Sequence, residues 1–157
     1  MYTIEVETAL GTIWICGDDK GVTQIKLPRK KNSAIKNEPL ESKKIPAHLT
    51  QASQQLKEYF KGKRKTFSLP LSINGTIFQC QVWEIIRSIP YGQTMSYGEI
   101  AQQLGNKGKA RAVGGAANAN PLPLVIPCHR VVGQNGSLTG FAGGIEMKKT
   151  LLNLEKG

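Results

Sequence analysis

The hydrophobic pattern of this chain changes its period along the sequence, and that change constrains the fold more than any other feature. Between residues 1 and 28 apolar and polar side chains alternate, which predicts a meander of three strands. Between residues 78 and 89 apolar side chains recur every three or four positions, which predicts a core helix. We therefore expect an α/β chain in two parts. A small sheet-plus-helix domain covers about residues 1–72, and a mostly helical domain covers about residues 76–157.

Local signals predict the elements between these two patterns. The segment 28–45 is polar, basic and without period, and it is expected to be a loop. Apolar residues at helical spacing between 49 and 60 predict a helix that ends at Gly62. Alternation over residues 67–71 predicts a short strand, and Pro70 restricts that strand to a sheet edge or ends it.

A pair of short helices follows the core helix. Ser96 and Glu99 have the spacing of a capping box, so a helix is expected to start near Tyr97 and to end at Gly105. After four residues that contain glycine, residues 110–118 predict a second helix. This is the outline of a helix-turn-helix, although many helix pairs share the same spacing.

The second helix of the pair has almost no side-chain bulk. Two adjacent glycines, Gly114 and Gly115, cost it about 1–2 kcal/mol of helix propensity. Small residues permit close packing inside a core, and they also permit entry into a narrow space such as a DNA minor groove. Arg111 at the start of the helix is compatible with the second interpretation, and both interpretations stay open at this point.

The charge balance is strongly basic. The 157 residues include 21 Lys and Arg but 11 Asp and Glu, which gives a net charge of +10. This excess favours a polyanionic partner, most often nucleic acid, over the alternative of a merely soluble basic protein. The lysine-rich stretch between residues 26 and 65 is interpreted as a solvated loop and not as a recognition surface.

Cysteine and histidine usage argues against a disulfide framework and against a metal site. The three cysteines, Cys16, Cys80 and Cys128, are odd in number, widely spaced and without a Cys-x-x-Cys pair. With only His48 and His129 available as imidazole ligands, an all-protein metal site is not expected.

No segment of the sequence predicts contact with a membrane. The apolar run Leu122–Ile126 is far shorter than the roughly 18–20 residues that a membrane span requires. The N-terminus lacks the basic and apolar regions of a secretory signal, so the expected location is the cytoplasm.

The segment 120–132 contains the candidate reactive residues. Its prolines hold a stiff path that ends at Cys128, and His129 next to it could accept a thiol proton. Neighbouring residues on a strand face opposite ways, so a water or a bend at Pro127 would have to connect the two side chains. Glu155, on the apolar side of a predicted C-terminal helix, would complete a Cys–His–Glu relay. The alternatives are a buried thiol beside a surface histidine, and a Glu155 that points to water.

Several motifs together resemble one family. They are Arg-Ala-Val-Gly-Gly-Ala at 111–116, Asn120-Pro121 and Ile-Pro-Cys-His-Arg-Val-Val at 126–132, with Ser96-Tyr97 and Gly-Phe-Ala-Gly-Gly at 140–144 in the same order. The chain resembles the O6-alkylguanine-DNA alkyltransferases, also called methylated-DNA–protein-cysteine methyltransferases. The match is firm over residues 76–157 and general over residues 1–75. It implies a ribonuclease H-like first domain and a winged-helix-like helix-turn-helix in the second.

The resemblance implies a role for each matching residue. Cys128 would accept the alkyl group, His129 would remove its proton through a water, and Glu155 would orient His129. Asn120 would brace the active-site turn, and Tyr97 would crowd the target phosphate and donate a hydrogen bond to the departing guanine. The implied DNA contacts are Arg111, which would fill the space of the flipped base, and Tyr97, Gly98, Asn106, Ala110, Ala112, Gly115 and Gln134. The implied substrate pocket consists of Pro123, Phe141, Ala142 and Gly143.

The chain departs from the family pattern at the pocket. Phe141 and Ala142 replace a frequent Tyr and an occasional Ser, so guanine recognition would depend more on backbone groups of this loop. Some members bind zinc in the first domain, but Cys16 and His48 cannot supply that ligand set. Cys80 stands at a helix position that is often basic in the family and is interpreted as structural.

The expected function is therefore stoichiometric repair of O6-alkylguanine in double-stranded DNA. The resemblance implies a monomer that binds through the minor groove, without a cofactor or metal. It leaves open whether O4-alkylthymine is also a substrate. Two other classes remain to be tested: a lesion-binding protein without chemistry, and a cysteine hydrolase that uses Cys128, His129 and Glu155.

Overall fold

The computed structural model describes residues 1–28, 45–141 and 143–156. It divides into two compact units, Met1–Asn74 and Gly75–Gly157, and each unit is described by itself. Most of the predicted basic loop, and Ala142 of the predicted substrate pocket, lie outside the described residues.

The first unit combines an antiparallel sheet with one helix. The strands are β1 (Tyr2–Thr8), β2 (Gly11–Gly17) and β3 (Val22–Lys26), in the order β1-β2-β3. Helix α1 (Ala47–Phe60) packs against this sheet, as the spacing predicts. The core contains side chains from both layers: Val6, Ile13, Ile15 and Ile25 from the sheet, and Leu49, Ala52, Leu56 and Tyr59 from the helix.

The predicted strand over residues 67–71 is wrong. Among the described residues, this segment forms only an isolated parallel bridge between Val22 and Leu71. The Val22 amide donates to the carbonyl of Pro70 at 2.9 Å, and the Ser72 amide donates to the carbonyl of Val22 at 2.9 Å. Because proline has no amide proton, the ladder cannot continue through Pro70.

The second unit is mostly helical. Its elements are α2 (Ile77–Arg87), β4 (Met95–Ser96), α3 (Tyr97–Gln103), α4 (Ala110–Asn118), β5 (Val131–Val132) and α5 (Ile145–Glu155). Thr76 and Gln79 form a reciprocal capping box at the start of α2. The helix buries Val82 and Ile86 of its predicted apolar face, and also Trp83, which the prediction did not include. None of the helices in the described part of the chain is long and apolar enough to cross a membrane.

Helices α3 and α4 form the predicted helix-turn-helix. Ser96 caps α3 by accepting the Glu99 amide at 3.1 Å, and Gly105 leaves the helix with a φ of +84°. A short 3-10 turn, Lys107–Lys109, leads into α4. Both helices pack on each other and on α2, where the indole of Trp83 donates to the carbonyl of Ala116 at 2.8 Å.

The small-residue helix α4 has one buried face and one exposed face. Val113, Ala116 and Ala117 are buried in the core of the second unit. The opposite face, which includes Arg111 and Gly115, is exposed. Small side chains therefore give close packing on one side of α4 and an unobstructed backbone on the other.

A two-stranded parallel ladder joins the helix-turn-helix to the Pro-Cys-His-Arg segment. Met95 pairs with Val131 and Ser96 pairs with Val132. Since β4 leads directly into α3 and β5 follows Arg130, this pairing places the start of α3 close to Cys128.

Candidate active site

The turn before the cysteine is held by one asparagine side chain. The amide nitrogen of Asn120 donates to the carbonyl of Ile126 at 2.8 Å, and its oxygen accepts the Leu122 amide at 2.8 Å. Inside this turn Leu124 has a φ of +77°, a left-handed conformation that costs a non-glycine residue about 1–3 kcal/mol. The Asn120 hydrogen bonds and the burial of Leu124 stabilise the strained turn.

The chain bends sharply at Pro127. The Cys128 amide donates to the carbonyl of Ile126 at 2.7 Å, which closes a tight turn around Pro127. Cys128–Arg130 then form a 3-10 turn, and the strand begins only at Val131. Cys128 and His129 are thus not successive residues of a strand. Of the two possibilities raised by the sequence, a bridging water or a bend at Pro127, the structure contains the bend.

Cys128 lies at the wall of a narrow cavity. Cys128 is only 9% exposed, and the cavity of about 10 Å³ has room for about one water molecule. Burial raises the pKa of Cys128 to about 11, against the opposing effects of the Asn120 hydrogen bond and the positive charge of Lys148. The resting thiol therefore keeps its proton at neutral pH, and a base must accept that proton during a reaction.

His129, the residue after Cys128, forms a buried pair with Glu155. Nε2 of His129 lies 2.6 Å from Oε2 of Glu155, and both side chains are almost fully buried. Burial lowers the pKa of His129, although the Glu155 carboxylate opposes this shift. When Nε2 carries the proton and donates to Glu155, Nδ1 is free to act as a base. Nδ1 is buried and makes no hydrogen bond within the described residues.

Arg130 is a buried residue of this site whose contacts the sequence did not predict. Its Nε and Nη2 donate to the two carboxylate oxygens of Glu155 at 2.8 and 3.0 Å, and its Nη1 donates to the carbonyl of Ile89 at 2.7 Å. This bidentate contact fixes the position of the Glu155 carboxylate, which also contacts His129. The signal in the sequence was the position of Arg130 between the Cys-His pair and the apolar Val131-Val132. A charged side chain that is buried there needs a hydrogen-bonding or charged partner.

Lys148 was also missed. Its side chain is fully buried, and Nζ donates to the carbonyls of Val131 at 2.6 Å and Thr139 at 3.0 Å. Burial lowers the pKa of Lys148. The signal in the sequence was its position three residues before Leu151, on the apolar face of α5. The Lys148 side chain therefore holds two segments together: β5, at Val131, and the loop after β5, at Thr139.

A wide groove runs along the exposed face of α4. Its volume is about 860 Å³, and its lining includes six of the predicted DNA contacts: Tyr97, Gly98, Ala110, Arg111, Gly115 and Gln134. The other two, Asn106 and Ala112, are exposed but do not line it. The Asn106 side chain instead accepts the Gly108 amide at 2.9 Å and caps the 3-10 turn.

Three residues line both the groove and the cavity at Cys128, and we refer to them as the neck. They are Tyr97, Asn118 and Gly140. The neck therefore places the cavity at Cys128 next to the groove on the exposed face of α4.

The predicted substrate pocket is divided between the cavity and its surroundings. Pro123 and Phe141 line the cavity, and the Phe141 ring meets the His129 ring edge-on at 6.5 Å between centroids. Gly143 does not line it; a Cβ at this position would clash with Sδ of Met147. Within the described residues no group of three or more His, Cys, Asp or Glu is placed to hold a metal ion.

The fold and the site together define a helix-turn-helix protein with a buried cysteine centre. Two family descriptions match the chain: the DNA-binding domain of 6-O-methylguanine DNA methyltransferase over residues 77–157, and its ribonuclease-like domain over residues 1–73. The chain belongs to the 6-O-methylguanine DNA methyltransferase family. This finding confirms the resemblance seen in the sequence and the predicted fold class.

Individual relatives agree over the full length. The chain is 42% identical to the methylated-DNA–protein-cysteine methyltransferase of Methanosarcina acetivorans, over 99% of this chain and 98% of that protein. It is 44% identical to the constitutive enzyme of the same name from Bacillus subtilis, over 99% and 95%. A crystal structure of Mycobacterium tuberculosis OGT in complex with DNA matches with a TM-score of 0.86 at 38% identity, over 99% of this chain and 93% of that one.

Proposed function

We propose that this protein repairs alkylated DNA by moving the alkyl group from O6 of guanine to Cys128. The observation that carries this proposal is the neck, whose residues line both the cavity at the buried Cys128 and the exposed groove on the small-residue helix α4. The net charge of +10 suits a nucleic-acid partner, and relatives that are 42–44% identical bear the name of this activity.

The proposed chemistry uses the Cys128 thiol and the buried His129–Glu155 pair. Nδ1 of His129 accepts the thiol proton through one water, and Glu155 stabilises the imidazolium that forms. The Cys128 sulfur then attacks the saturated carbon on guanine O6, a carbon–sulfur bond forms, and the carbon–oxygen bond breaks. The electron pair stays with guanine, to which Tyr97 donates a hydrogen bond as it leaves. Since water does not displace a thioether, each molecule reacts once and needs no cofactor.

The substrate base must leave the duplex before it can react. A base within the stack cannot present its O6-alkyl carbon to a buried thiol, so it is flipped through the neck. The exposed face of α4 lies in the minor groove, where Ala110, Ala112 and Gly115 allow close approach. Arg111 fills the space of the extruded base. Gly98, Asn106 and Gln134 contact the DNA around it, and the protein acts as a monomer.

Intact-protein mass spectrometry tests the proposal directly. After incubation with a duplex that contains O6-methylguanine, the protein should gain one methyl group, about 14 Da, on Cys128. Cys80→Ala is a matched control, since Cys80 is an exposed thiol of the same unit and its loss should not change transfer. Cys128→Ala should bind the duplex and transfer nothing.

The outcomes also separate the competing classes of function. A protein that binds the alkylated duplex but gains no mass would be a lesion-binding protein. Repeated turnover with a regenerated thiol would indicate a hydrolase. Methyl transfer that persists in Cys128→Ala would refute the assignment of the acceptor residue.

A further inference from the structure

Thr139 places its hydroxyl group on the phenol of Tyr97. Oγ1 of Thr139 lies 2.9 Å from the Tyr97 hydroxyl oxygen, within hydrogen-bonding distance. Tyr97 is the first residue of α3 and belongs to the neck, and its ring lies beside Gly114, where a Cβ would be 3.8 Å away. The contact therefore joins the loop after β5 to the neck.

The backbone of Thr139 is fixed independently of its side chain. Its carbonyl accepts the buried ammonium of Lys148 at 3.0 Å, and the same ammonium donates to Val131 at 2.6 Å. Thr139 is thereby anchored to the strand that follows the active-site turn. A substitution that removes only the hydroxyl group leaves this anchor in place.

We propose that Thr139 is a positioning residue that orients the Tyr97 hydroxyl towards the base in the neck. The inference rests on the proposed function, in which Tyr97 donates a hydrogen bond to the departing guanine. A phenol has one proton to donate and can accept other hydrogen bonds. When Thr139 donates to the phenol oxygen, the Tyr97 proton is not used on Thr139 and stays available for the guanine. Accepting one hydrogen bond also strengthens the hydrogen bond that a hydroxyl donates.

A double-mutant cycle between Thr139 and Tyr97 tests this role. Thr139→Val keeps the shape of the side chain and removes the donor, and Thr139→Ser keeps the donor. We expect Thr139→Val to lower the rate constant of methyl transfer at saturating duplex about threefold to tenfold, as one lost hydrogen bond implies. The apparent affinity for the duplex should not change. Thr139→Ser should restore most of the rate.

The decisive comparison is made in the Tyr97→Phe background. If Thr139 acts through the phenol, Thr139→Val should cause no further loss once that hydroxyl is absent. Thr12→Val is a matched control, because Thr12 also donates to a side chain, Glu7, at 2.6 Å on the exposed face of the first unit. It should transfer methyl groups at the normal rate. Unfolding measurements on every variant check that the fold is intact.

Three results would overturn the proposal. An equal loss in the wild-type and Tyr97→Phe backgrounds would mean that Thr139 supports the loop and not the phenol. An unchanged or faster rate in Thr139→Val would mean that the hydroxyl does not assist the transfer. If the wild-type protein gains no methyl group on Cys128, the proposed function fails first and the role of Thr139 fails with it.

Discussion

Replacing Glu155 by Gln should both destabilise the second unit and slow the transfer. The two carboxylate oxygens accept from Nε2 of His129, from Nε and Nη2 of Arg130, and from the Gly92 amide at 3.2 Å. Glutamine has a single acceptor oxygen, so its NH₂ group must face at least one of these donors in either orientation. The buried Arg130 guanidinium then loses its anionic partner.

The expected size of the effect follows from this burial. Breaking a buried ion pair by neutralising one partner costs about 3–5 kcal/mol. Glu58→Gln is the matched control, because Glu58 pairs with Arg64 at 2.9 Å while both side chains remain about 30% exposed. The control should lose less than about 1 kcal/mol of unfolding free energy. Urea unfolding of both variants measures the difference.

The kinetic effect has a separate cause. In Glu155→Gln the amide can donate to Nε2 of His129, which moves the ring proton to Nδ1 and removes the base. Methyl transfer should slow by more than about tenfold, a barrier increase of about 1.4 kcal/mol, with little change in affinity for the duplex. A variant that unfolds like Glu58→Gln and transfers at the wild-type rate would refute the roles given to Arg130 and His129.

Three further predictions concern other groups of the site. Because burial lowers the pKa of His129, the unfolded chain takes up a proton first as the pH falls below about 6.5. The free energy of unfolding should therefore fall in that range, and His129→Gln should flatten the dependence; identical urea-unfolding profiles would contradict this. Lys148→Met removes a positive charge that lowers the pKa of Cys128, so its pH–rate profile for transfer should move to higher pH. An unmoved profile would show that this charge has no effect on the thiol. Arg111→Ala should transfer poorly from duplex DNA and almost normally from free O6-benzylguanine, with Arg111→Lys intermediate. Equal impairment on both substrates would exclude the extrusion role.

Elements with strong local signals were predictable from the sequence. The spacing of apolar residues in α2 and the serine cap of α3 identify these helices because both signals lie within one or two turns of chain. The segment 67–71 was not predictable. Its single bridge depends on Val22, which is distant in sequence, and alternation alone cannot show how far a ladder extends.

In the candidate site, too, local contacts were predictable from the sequence and distant contacts were not. The Cys128–His129 motif and its partner Glu155 could be proposed from residue types and helix spacing. The sequence positions of Arg130 and Lys148 hint at burial but do not identify their partners, which include the backbone carbonyls of Ile89 and Thr139. The 3-10 turn at Cys128 depends on the ψ angle of Pro127, which is 67°. The proline ring fixes φ but not ψ, so the sequence alone does not predict this turn.

The narrow cavity at Cys128 also determines how long an unused molecule keeps its repair capacity. A protein molecule that reacts only once can no longer repair DNA if another reaction modifies its thiol first. Oxidants and small electrophiles attack thiols that are exposed and ionised. Cys128 is 9% exposed with a pKa of about 11, whereas Cys80 lies open on the surface. The low exposure and the raised pKa thus protect the Cys128 thiol from side reactions that an exposed, ionised thiol would undergo.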